Sequence, residues 1–160
     1  MLFLLTAGCF MPASIQNRVN ERDRDRYRAE AATEWRTRDQ SMAQQGWVPA
    51  FEAQEGGLVE DYDESDDIRV TLPSTGDFAM LAICGANCID MDLVVYNAAG
   101  QRVAADLDPD ARPIVQFSGR SGERFNVRVT IPDCRAPRAQ AGQENPGWSC
   151  VYFTKVYRRR

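Results

Sequence analysis

Residues 84–96 read CGANCIDMDLVVY, and the reading of this stretch decides the fold. Ile89, Met91, Leu93 and Val95 alternate with Asp90, Asp92, Val94 and Tyr96. A strand sends successive side chains to opposite faces, so the first set enters a core and the second faces away from it. Asp90 and Asp92 then share a face. Two like charges so placed repel unless a cation, an arginine or backbone N–H groups compensate them. Cys84 and Cys88 bracket Gly85, Ala86 and Asn87, a turn-compatible triplet. A disulfide between the two cysteines would clamp the turn joining a strand over 78–84 to the next.

The pattern continues on both sides. Ile68, Val70 and Leu72 alternate, and 73–76 turn the chain. After Tyr96, residues 97–100 form a hairpin-type connection and 101–105 return. Residues 106–110 (DLDPD) make an acidic loop, followed by a short strand over 114–117 and a turn over 118–122. Phe125, Val127, Val129 and Ile131 alternate with polar residues, and a last strand spans 148–157. Between these two strands, 135–147 are rich in Ala, Gly, Gln and Pro and read as a loop. Short strands with regular turn signals predict a mainly β fold over 47–160, an antiparallel two-sheet sandwich or jelly roll.

Upstream the pattern changes. Residues 14–45 form a helix candidate, with Ser14 as N-cap and Gly46 as stop. Ile15, Val19, Tyr27, Ala31, Trp35 and Met42 recur near helical spacing in a thin stripe. Asp23–Arg26, Asp25–Arg28 and Arg26–Glu30 are helix-spaced ion pairs. The preferred reading is a solvated helix docked by one edge, ahead of a partner-binding helix or a spacer. Residues 46–67 read as a transition, with Gly56 and Gly57 marking a turn and 60–67 (EDYDESDD) a solvated acidic run. Residues 1–9, MLFLLTAGC, resemble the tail of a bacterial lipoprotein signal, in which Cys9 becomes the lipidated first residue. Thr6 stands where leucine is usual, and no basic residue precedes the apolar run. The resulting division is a signal segment over 1–13, a helix over 14–46 and a β domain over 47–160.

Composition narrows the function classes. The chain of 160 residues carries a net charge of −4 and no histidine. Nucleic acid is therefore not an expected partner. The commonest general base and zinc ligand are both missing. Lys155 is the only lysine. Of five cysteines, Cys9 goes to lipid and four lie in the β region. Four cysteines allow three connectivities. Cys84–Cys88 and Cys134–Cys150 are favoured because each pair brackets a loop between consecutive strands. Disulfides imply an oxidising compartment. A four-cysteine zinc site would need two short-gap pairs, and only one short gap exists.

The segments CIDMDLVVYNAAGQRVAADLDPDARPIVQF, SGERFNVRVTIPDC and WSCVYF together resemble the bacterial pre-peptidase C-terminal domain. The family's D-x-D-L strand, glycine turn, acidic turn and G-x-[YF]-x-V-x-V strand fall on 90–93, Gly100, 106–110 and 122–129. The resemblance implies a non-catalytic β-sandwich of the kind appended to secreted enzymes, with a role in secretion, processing or substrate binding. Some similar domains bind calcium.

For function, Asp90, Asp92, Asp106, Asp108 and Asp110 are the candidate calcium ligands, since a hard cation needs several oxygens at about 2.4 Å. The plainer reading, which is preferred, has Asp92 accepting backbone N–H groups and the loop aspartates solvated. No catalytic residue and no certain cofactor is assigned. The expected role is a non-enzymatic binding or structural module of the cell envelope or secreted space. Its partner would be an envelope protein or glycan, and its membrane contact a lipid anchor. The alternatives are a carboxylate-dependent hydrolase, or a secreted-protease inhibitor acting through 135–147.

Overall fold

The structure is a computed structural model that describes residues 13–51, 54–59, 65–84, 88–134 and 150–160. Among the described residues, helix α1 (Ala13–Gln44) precedes nine strands. These are β1 (Trp47–Pro49), β2 (Gln54–Val59), β3 (Ser65–Thr71), β4 (Gly76–Cys84), β5 (Cys88–Asn97), β6 (Arg102–Asp106), β7 (Ile114–Gly119), β8 (Arg124–Cys134) and β9 (Cys150–Arg159). One sheet runs β1-β9-β4-β7, with β2 also on β9; the other runs β3-β8-β5-β6. Every pairing is antiparallel. From β2 onward the chain changes sheet at every connection except the β5–β6 hairpin. The fold is thus mainly β, an antiparallel two-sheet sandwich with an N-terminal helix.

Alternation builds the interior. Met91, Leu93 and Val95 of β5 and Phe125, Val127, Val129 and Ile131 of β8 face Phe78, Met80 and Ala82 of β4, with Val115, Phe117, Tyr152 and Val156 completing the layer. Burying each large apolar side chain contributes about 1.5–3 kcal/mol. Strand β4 is apolar on both faces. Its other set, Ala79, Leu81 and Ile83, lies beneath Ala31, Trp35 and Met42 of α1, beside Trp47, Phe153 and Tyr157. A third layer therefore sits on the outer side of the β4–β9 sheet, and the helix docks by one edge as expected. The side chains of Ile15, Val19 and Tyr27 lie outside the described ones. Helix α1 stops before Gly46, which takes φ +84°, a conformation that glycine adopts without steric cost.

Three expectations change. Ser14 lies inside α1, which already begins at Ala13, so it does not cap the helix. Gly56 and Gly57 do not form a turn. They sit within β2 where the register against β9 shifts between Glu55 and Leu58, and glycine is a common occupant of such a bulge. Ile89 does not enter the core; it is 38% exposed, while Cys88 is buried. Register shifts on either side of Asp90 reverse the in–out phase of β5 between Cys88 and Met91.

Candidate functional site

The carboxylate cluster lies at one end of the sandwich, where β4 ends, β5 begins and the loop after β6 passes across them. The Cys84–Cys88 disulfide closes this end, with Cα atoms 5.8 Å apart. Because β4 and β5 belong to different sheets, this bridge joins the two layers as well as clamping a turn. Cys134 is the register partner of Cys88 on β8, and Cys150 begins β9 two residues before Tyr152, the partner of Cys84. All four strand-end cysteines are therefore at this end. The side chains of Cys134 and Cys150 lie outside the described ones. Cys9 and the loop 135–147 lie outside the described residues altogether.

The five aspartates divide by role. Asp106 accepts the backbone N–H of Asp108 (3.2 Å) and of Ile114 (2.8 Å), which fixes the loop between β6 and β7. Asp110 accepts the N–H of Arg112 at 2.6 Å through its side chain, and the N–H of Met91 at 2.8 Å through its carbonyl. The second bond ties the loop to β5. The carbonyl of Asp108 accepts the N–H of Asp110. Asp92 was expected to hold backbone N–H groups, but among the described residues that work falls to Asp106. Burial first, then the charges of Asp90 and Asp106, push the Asp92 carboxyl above the usual carboxylate range. One oxygen of Asp90, Oδ1, is buried without a hydrogen-bond partner. Asp92 thus feels the charges of Asp90 and Asp106, while Asp106, Asp108 and Asp110 shape the loop. Among the described residues no group of three or more Cys, Asp or Glu side chains is arranged to hold a metal ion.

A second polar centre was not anticipated. Lys155 is 7% exposed and donates to both carboxylate oxygens of Asp39, at 2.7 and 2.8 Å. The Tyr157 hydroxyl donates to the same carboxylate at 2.7 Å. The ammonium lies 5.9 Å from the Trp35 ring centre and 5.6 Å from that of Tyr157. Burial, followed by the hydrogen bond and charge of Asp39, pushes the Tyr157 hydroxyl well above its ordinary range. The signal for this centre is the chain's one lysine, set between Phe153 and Tyr157 on one side of β9. Its partner lies 116 residues away and left no local mark.

Other chemistry is sparse. Ser118 donates to Asp77 at 2.6 Å across the β4–β7 pair, at exposed positions. A cleft of about 190 Å³ lies elsewhere, lined by Phe51, Ile68, Val70, Met80, Thr154 and Val156 among others, and contains neither residue of that pair. The described residues place no nucleophile beside a base within a cleft.

No family model matches the chain, and no curated protein does. Among solved structures it is similar to the pre-peptidase C-terminal domain of collagenase from Bacillus anthracis. Identity is 12%, the TM-score is 0.46, and the match covers 66% of this chain and 87% of that one. No helix among the described residues is long and apolar enough to cross a membrane.

Proposed function

We propose that this chain is a non-enzymatic binding or structural β-sandwich module of the bacterial cell envelope or secreted space, anchored by lipid on Cys9. The observation that carries the reading is the Cys84–Cys88 disulfide joining the two sheets, a bond that persists in oxidising compartments. The second proposed bridge, Cys134–Cys150, would lie at the same end. The test incubates the full chain with envelope fragments and, separately, with a panel of glycan and peptide hydrolase substrates. Co-sedimentation with the fragments and no turnover are expected. Strong hydrolysis abolished by Asp90→Asn or Asp92→Asn would overturn the reading. The mass of the mature N-terminus tests the anchor, with a diacylated Cys9 as the expected species.

A calcium ion held through Asp90 and Asp92 is the cofactor reading, favoured by the unpaired Asp90 oxygen and the raised Asp92 carboxyl. An ion bound only by the folded state raises its melting temperature. A melting curve that shifts upward with calcium and back with chelator is the expected outcome; superimposable curves dismiss it.

A further inference from the structure

The outer face of the β3-β8-β5-β6 sheet differs in charge from the rest of the chain. Register pairs Arg69 with Asn126 and Asn126 with Tyr96, and Tyr96 pairs in turn with Arg102. These four residues make one row across all four strands. Directly paired residues in an antiparallel sheet point to the same side. The next row holds Asp67, Arg128, Val94 and Ala105, and Arg124 lies opposite Thr71 beyond the first row. Four arginines therefore meet on this face with Asp67 among them and Asp92 one row further on, opposite Thr130, although the whole chain has a net charge of −4. All four arginines are exposed. Asp67 holds Arg128 at 3.0 Å, and the guanidinium lies 5.6 Å from the Tyr96 ring centre. Among the described residues Arg69, Arg102 and Arg124 make no ion pair. Helix α1 covers the opposite sheet, so it does not shield them.

We propose that this face binds an anionic glycan, a polymer of carboxylate-bearing sugars. The proposal rests on the binding-module reading and names the partner. Three unpaired guanidinium groups offer forks that match carboxylates, Asn126 offers an amide to hydroxyls, and Tyr96 gives an apolar ring edge between them. The surface is a sheet face, on which recognition runs through side chains. An acidic peptide would meet the same guanidinium groups through its carboxylates, but it brings no sugar hydroxyls for Asn126 and no sugar ring for Tyr96, and polyglutamate in the test separates the two. Single-stranded nucleic acid calls for successive open rings, and here one ring stands already faced by Arg128.

The test measures binding of the full chain to polyuronate, neutral dextran, polyglutamate and a single-stranded oligonucleotide at low and high salt. Binding to polyuronate above all others, weakened by salt, is expected. Arg69→Gln, Arg102→Gln and Arg124→Gln should each weaken it about threefold to tenfold, with melting temperatures close to that of the parent. Equal or tighter binding to polyglutamate or the oligonucleotide overturns the glycan assignment. So does polyuronate binding that survives the triple substitution. A chain that holds envelope fragments but not polyuronate sinks this proposal and leaves the module reading intact, whereas one that holds neither removes both.

Discussion

Asp92 carries the carboxylate whose charge the fold opposes most plainly. Burial, Asp90 and Asp106 all raise its pKa above 3.8, so the folded chain holds this proton more tightly than the unfolded one. The associated stability is complete below the ordinary carboxylate pKa and is lost as pH climbs through the raised value. Asp92→Asn should therefore stabilise the protein at pH 7, in the presence of chelator, by a few tenths of a kcal/mol, because solvent screens a half-exposed group. The gain should fade toward pH 3. Urea midpoints at pH 3, 5 and 7 measure it, and a lower midpoint for the variant at pH 7 would contradict the assignment. The alternation in 84–96 made the repulsion between Asp90 and Asp92 legible. Asp106 was grouped with them only as a member of the acidic loop over 106–110; that its charge reaches Asp92 depends on how another strand packs.

Helix α1 is held by its edge, and the hold is partly ionic. Glu34 accepts from Arg112 of the β6–β7 loop at 2.6 Å and also pairs with Arg38. Asp39 takes Lys155 and Tyr157. Arg28 pairs with Asp25, and Arg26 with Glu30, on the exposed side, as their spacing predicts. Asp39→Ala leaves the Lys155 ammonium buried without its acceptor, at a cost of about 2–3 kcal/mol, below the range for a fully buried pair because Asp39 is partly exposed. Chemical denaturation should show that loss. Asp39→Leu combined with Lys155→Met should recover most of it, since well-packed apolar pairs often replace buried ion pairs without penalty. A single variant as stable as the parent would mean the ion pair does not hold the helix.

Across the whole molecule, two sheets that exchange the chain at nearly every connection are stapled at one end. The Cys84–Cys88 bridge closes a short loop, for which chain entropy gives about 2 kcal/mol. Cys84→Ser with Cys88→Ser should lower the stability of the full chain by about that amount and its melting temperature by several degrees. Thermal melts monitored by far-ultraviolet circular dichroism would read the change; an unaltered melting temperature would show that the sheets are held together without the staple.

Side-chain alternation along each strand is a local property, and the chain by itself determined it. The succession of short β-strands, the pairing of Cys84 with Cys88, the glycine stop after α1 and the apolar stripe of Ala31, Trp35 and Met42 are all legible in local runs of sequence. Tertiary structure decided what depends on contacts between distant segments. It placed β2 on β9 through a glycine bulge, turned Ile89 outward, laid α1 over the second face of β4 and buried Lys155 against Asp39. Strand partners and layers are fixed by the register of residues far apart in the chain, and periodicity within one segment carries no record of which sheet it joins.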